Sequence, residues 1–165
     1  MSFELFEEDT HATLSSEISN EDICESKDLL ISVCYNEIDL GKTDYGFNQG
    51  FEGNEANMYF ERMNTFSNLT INEILDTPDS HDLHFTRNDL NNKSNYFLKN
   101  ILKKMNPEIG KSNPEIFHFA LDPNCETFAS RKTGERNPRI YFMVGYNGMI
   151  HPILFDPYHE INGKR

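Results

Sequence analysis

The chain has 165 residues, 37% of them hydrophobic, and a formal charge of −12. That length predicts one domain, or one domain with a tail, and thirteen Phe supply core material although Trp is absent. The charge argues against a bulk nucleic-acid binder, which would show a basic excess, and no apolar run approaches the roughly 20 residues needed to span a bilayer.

The three cysteines, Cys24, Cys34 and Cys125, are odd in number and lack CxxC spacing. This predicts reduced thiols and a cytoplasmic protein rather than a disulfide framework or a zinc ribbon. The acidic opening, Met1 to Asp9, predicts no signal or transit peptide. No motif calls for a cofactor or a metal, and no membrane partner is expected. The charge is unevenly placed. Residues 1–56 hold 14 acidic residues against Lys27 and Lys42, whereas residues 57–165 hold 13 of each sign. The expected organisation is an acidic, flexible or loosely docked segment over 1–28 and a single α+β domain over 29–165.

In chain order, residues 29–35 are apolar and β-branched and predict a first strand. Residues 39–57 carry four glycines and predict a loop. Its Gly41-Lys42-Thr43 lacks the spacing of a phosphate-binding loop and reads as a turn. Residues 58–69 predict a helix whose Met58, Tyr59, Met63 and Phe66 share an apolar face. Thr70 and Glu73 have capping-box spacing, opening a short helix over 71–76 that Pro78 ends. His81 and His84 fall in the next connection; two histidines three apart could ligate a metal, but with no third ligand nearby they read as a polar loop.

Residues 95–105 give the clearest helix. Leu98, Ile101, Leu102 and Met105 form one stripe, Ser94 is the expected N-cap, Lys103 and Lys104 suit the C-terminal dipole, and Pro107 stops the helix. The period then changes to two: 116–121 predicts a strand, Asp122-Pro123-Asn124 a turn, and 126–132 a second, more polar strand. Helices followed by antiparallel strands predict an α+β fold, with helices packed on one face of an antiparallel sheet. That sheet ends in a C-terminal β-hairpin, 139–146/149–155, around Asn147-Gly148, a dipeptide suited to a two-residue type I′ turn.

Such a turn sets Arg139 opposite Asp156, Tyr141 opposite Leu154, Phe142 opposite Ile153 and Val144 opposite His151. Pro152 then sits at a non-hydrogen-bonded position, predicting that the last strand is a sheet edge. His151 and Asp156 fall on opposite faces, so they do not form a pair. Arg139 and Asp156 read either as a cross-strand ion pair worth about 0.2–1 kcal/mol or as part of a polar site with Tyr158, His159 and Glu160.

Residues 116–161, and more loosely 29–161, resemble an uncharacterised group of small bacterial and mobile-element proteins. Its strand pair ends in hydrophobic-Asp-Pro-x-His, here Phe155-Asp156-Pro157-Tyr158-His159. The same stretch is similar, more weakly, to the C-terminal half of RelE/YoeB-type ribonuclease toxins: Ser130-Arg131-Lys132, then Arg139-Ile140-Tyr141-Phe142, the turn, and Tyr158-His159. That resemblance implies RNA cleavage through the 2′-hydroxyl, with Glu126 or Glu135 as base, Arg131 and Arg139 as phosphate clamp and His159 as acid. Tyr158 would stack on a base and Lys132 would help bind substrate. The alternative is a non-catalytic interaction module, an inhibitor, immunity or regulatory protein that docks its acidic N-terminal region on a partner with a basic surface. The expected partner is accordingly RNA or such a protein, in an oligomeric state the sequence leaves open.

Overall fold

A computed structural model describes residues 28–76, 85–108, 114–145 and 148–162. The elements are β1 (Ser32–Val33), α1 (Glu55–Phe66), α2 (Ile71–Asp76), β2 (Thr86–Asn88), α3 (Tyr96–Met105), β3 (Ile116–Ala120), β4 (Arg139–Val144) and β5 (Met149–Asp156). Single 3-10 turns precede α1 and α3, at Phe47–Gln49 and Lys93–Asn95. The strands form one sheet in the order β1-β5-β4-β3-β2. The fold is α+β, but the sheet is mixed rather than antiparallel, because β1 joins β5 in parallel.

Local signals hold where the residues can satisfy themselves. In the capping box the Thr70 amide donates to Glu73 Oε2 at 2.7 Å and the Glu73 amide donates to Thr70 Oγ1 at 3.1 Å. All four residues of the α3 stripe are buried, each worth about 1.5–3 kcal/mol. The expected Ser94 cap is replaced: Asn92 accepts from the Ser94 amide and caps the 3-10 turn that leads into α3. His81 and His84 lie outside the described residues.

The helices occupy both faces of the sheet, not one. α1 and α2 contribute Tyr59, Met63, Phe66, Ile71 and Ile74 to a core with Phe117, Phe119, Ile140, Phe142 and Phe155. On the other face, α3 packs on Ile116, Tyr141, Ile153 and Leu154. Period-two alternation explains the split: along β3, Phe117 and Phe119 face α1 while Ile116 and His118 face α3.

The hairpin register departs from expectation by one residue. Arg139, Ile140 and Tyr141 oppose Asp156, Phe155 and Leu154, but Phe142 opposes Pro152, Met143 opposes His151 and Val144 opposes Ile150. Ile153 is the extra residue of a bulge, so Ile153 and Leu154 both face α3. At the turn the Gly145 amide donates to Met149 O at 2.8 Å, so Gly145 and Met149 pair at the end of the hairpin; Asn147 of the expected turn lies outside the described residues. Gly148 supplies a φ of +69° there. The bulge also places His151 and Asp156 on the same face. They remain five residues apart, and His151 packs over Gly145, where an added Cβ would lie 2.6 Å from its Nε2.

Strand β5 is not an edge. The Ser32 and Cys34 amides donate to Gly148 O and Ile150 O, and the backbone around Asp39 and Tyr45 covers the rest: the Asp39 amide donates to Ile153 O and the Phe155 amide to Tyr45 O. Pro152 does sit where its missing amide would face outward. The next bond of the parallel ladder would have needed that amide, which is why β1 is only two residues long. The Gly41-Lys42-Thr43 loop is filled by its own chain. The buried Asp39 carboxylate accepts from the Gly41, Lys42 and Thr43 amides at 2.7–3.0 Å, so those donors are already satisfied.

Candidate functional site

Two polar corners lie side by side at the end of the sheet where β4 begins and β5 finishes. The chain between them is Asp156 to Asn162. Asp156 is fully buried; its carboxylate accepts from the Tyr158 amide at 3.3 Å and the Ile161 amide at 2.8 Å, tying the segment back on itself. Burial pushes its carboxyl above the usual range, while the backbone amides pull the other way. His159 completes the turn with a φ of +51°, a left-handed conformation that only a few per cent of non-glycine residues adopt. The reversal gives the adjacent Tyr158 and His159 different surroundings.

Tyr158 belongs to an arginine corner. Arg131 lies over its ring, 5.1 Å from the centroid, and Arg136 is 5.8 Å away. Both guanidiniums are committed to carboxylates. Arg131 donates to both oxygens of Glu160 at 2.9 and 3.3 Å. Arg136, with only 10% of its side chain exposed, donates to Glu55 at 2.6 and 2.7 Å and to Glu52 at 2.7 Å. Burial alone would lower the Arg136 pKa, but these carboxylates raise it. The Tyr45 hydroxyl, 3.4 Å from Glu160, is pushed up to about 12 by burial and by that carboxylate.

His159 belongs to the other corner, an open cleft of about 1060 Å³ on the α3 face. At its floor the His159 and His118 rings are 6.3 Å apart, with Asn88 and Asn162 beside them. Tyr96, 65% exposed, stands on its wall. His118 is reached through the sheet: it pairs with Thr86 on one side and Tyr141 on the other, and its ring lies 4.9 Å from the Tyr141 ring. Burial, then the positive charge of Arg139 and the nearby His159, lowers the His118 pKa to about 3. His159, half-buried, is lowered to about 4 by burial and by Arg139. Both imidazoles are therefore neutral at pH 7, each with one N–H to donate and one ring nitrogen to accept.

Arg139 and Asp156 are cross-strand partners, yet the Arg139 hydrogen bonds go to the backbone and side chain beside it. Arg139 Nη1 donates to the side-chain and backbone oxygens of Asn137 and to Pro138 O, rather than to the Asp156 carboxylate. Burial lowers its pKa, and its charge acts on both histidines. Of the residues singled out from sequence, His159 and Arg139 are thus brought together, and Tyr158 and Arg131 gather next door. Glu126 and Lys132 are exposed and do not line the cleft. Their expected strand is absent: 125–129 is irregular, and only Ser130 and Glu135 pair, across a turn containing Lys132.

His118, Asn88 and Asn162 were not singled out. The one signal was a histidine in an otherwise apolar strand, on the same face as Ile116. Among the described residues no group of three or more His, Cys, Asp or Glu is placed to hold a metal ion, and no helix is long and apolar enough to cross a membrane. Comparison with protein-family models, curated proteins and solved structures finds no match, so the functional argument rests on this geometry.

Proposed function

We propose that the cleft is an acid–base site for cleavage of single-stranded RNA, the activity implied by the resemblance of the C-terminal hairpin to RelE/YoeB-type toxins. The observation that carries this reading is the His118–His159 pair, with ring centroids 6.3 Å apart on one open cleft and within the field of Arg139. Attack by a ribose 2′-hydroxyl on the adjacent phosphorus forms a 2′,3′-cyclic phosphate and expels the 5′-oxygen. It requires a group to take the hydroxyl proton, one to protonate the leaving oxygen and positive charge for the phosphorane. In this reading neutral His159 takes the 2′-hydroxyl proton as general base and returns it to the departing 5′-oxygen, Arg139 supplies the field and Tyr96 offers a ring for base stacking. An RNA phosphate in the cleft would offset Arg139 and bring the His159 pKa back toward its ordinary value, making the neutral ring a stronger base for that transfer.

The test uses the full chain on a single-stranded RNA oligonucleotide, with the all-deoxy oligonucleotide as control. The expected outcome is RNA-only cleavage leaving cyclic phosphate ends, with His159→Ala lowering the rate about 10²–10⁴-fold. A pure wild-type protein that cleaves no RNA sequence offered would overturn the proposal.

One observation favours a second reading. Arg131 and Arg136 are both neutralised by carboxylates, and the negative excess of the chain lies within residues 1–56. In this reading the acidic N-terminal region docks on a basic protein surface without catalysis. Exchanging the carboxylates between Glu4 and Asp28 for amides would then abolish capture of that partner, and binding that survives the exchange would count against it.

A further inference from the structure

The polar residues around His118 decide which of its nitrogens carries the proton. Asn88 pairs with Ile116 across β2 and β3, on the same sheet face as His118. Its Nδ2 lies 3.2 Å from the backbone carbonyl of Thr86, which can only accept. This fixes the orientation of the amide, since the flipped form would bring two oxygens together. In that orientation Nδ2 also lies 3.0 Å from His118 Nδ1, while Oδ1 accepts from Asn162 Nδ2.

A competing arrangement would have His118 Nδ1–H donate to Asn88 Oδ1, which is 3.3 Å away. Two observations oppose it. Oδ1 already has a closer donor in Asn162 Nδ2 at 2.5 Å, and that same Nδ2 lies 3.4 Å from His118 Nδ1. A proton on Nδ1 would therefore face two amide groups that themselves donate. With Nδ1 as acceptor, the neutral ring must carry its proton on Nε2. Nε2 makes no hydrogen bond to any described residue, and the ring lines the cleft.

We infer that Asn88 is a positioning residue that holds His118 as its neutral Nε2–H tautomer, making His118 a fixed hydrogen-bond donor to a phosphoryl oxygen of the cleft's ligand. The ligand class rests on the RNA reading above; the tautomer does not. The role assigned to His118 differs from that of His159: it donates a hydrogen bond to developing negative charge without giving up the proton, whereas His159 exchanges one. Asn162 acts behind Asn88, so the C-terminal turn that delivers His159 also steadies the amide that orients His118.

The experiment is multiple-bond 15N–1H NMR of the imidazoles in the uniformly labelled full chain. The expected pattern for His118 is an unprotonated Nδ1 and a protonated Nε2, unchanged between pH 5 and 8. Asn88→Asp presents an acceptor to Nδ1 and is expected to invert the pattern. Wild-type His118 as Nδ1–H, as an even mixture, or titrating within that range overturns the inference, and so does an unchanged pattern in a folded Asn88→Asp. If that variant does not fold, the wild-type spectrum alone decides the tautomer. Titration with inorganic phosphate tests the donor role: the His118 Nε2–H resonance is expected to shift, and its indifference at saturating phosphate would remove that role. Absence of RNA cleavage with the tautomer intact would instead sink the proposed function and leave the Asn88 lock standing.

Discussion

Tyr158 and His159 are neighbours in sequence but belong to corners built on opposite principles. The arginine corner is rich in charge that is already paired: Arg131 and Arg136 are each matched to Glu160, Glu55 or Glu52, and Tyr158 lies against them. The cleft corner is open, with two neutral imidazoles and an amide pair beneath about 1060 Å³ of space, and its lining also includes Arg87, Asp89 and Lys93. Charges that neutralise one another hold segments together, whereas polar atoms left facing open space remain available to a ligand.

The comparison can be broken by experiment. The largest expected effect is on activity. His159→Ala should lower RNA cleavage by about 10²–10⁴-fold, whereas Arg131→Gln next door should change it little. The pH dependence of stability should follow the cleft. His118 has a pKa of about 3 in the folded chain against about 6.5 unfolded, so the unfolded chain binds that proton first. The stabilisation is complete above about pH 6.5 and is lost as pH falls, by about 3 kcal/mol at pH 4. His159 adds in the same direction. Asp156, whose folded pKa is raised, acts oppositely: its contribution is full at low pH and is lost as pH rises through the folded value. Urea midpoints measured from pH 7 to 4 should therefore fall, and His118→Phe should flatten the slope; an equally steep fall in that variant would remove His118 as the cause.

The arginine corner should answer to stability instead. Arg136→Met strands two carboxylates, one of them largely buried, and should cost about 3 kcal/mol by denaturant titration. A loss below about 0.5 kcal/mol would mean the network is ornamental. Tyr141→Phe should stabilise by about 1 kcal/mol, because the Tyr141 hydroxyl is buried and has no hydrogen-bond partner among the described residues. A destabilised variant would imply that the hydroxyl has a partner after all. The smallest effect belongs to Arg131→Gln, which loses an exposed pair and should fall within about 1 kcal/mol of wild type.

Much of the architecture was legible in the residues because its causes are local. The α3 stripe, the Thr70–Glu73 box and the apolar runs either side of residues 147–148 each depend on neighbours a few positions away, so the sequence by itself determined that those elements exist. The three hairpin pairs at Arg139 match the expected register only because the bulge offsets the one-residue shift at the turn end. Tertiary structure decided the rest. A single bulge at Ile153 moved Phe142 opposite Pro152 and put His151 on the face of Asp156, a one-residue change that no local pattern announces. Packing across the sheet set α3 opposite α1 and α2, and a two-residue parallel strand turned an expected edge into an interior strand. The candidate site depends on these long-range choices most of all. His118 reads as one residue of an apolar strand until the fold brings Asn88 to it from β2 and His159 and Asn162 from the C-terminal turn. Its protonation state follows from that meeting of distant groups, because burial and neighbouring charge act through space and not along the sequence.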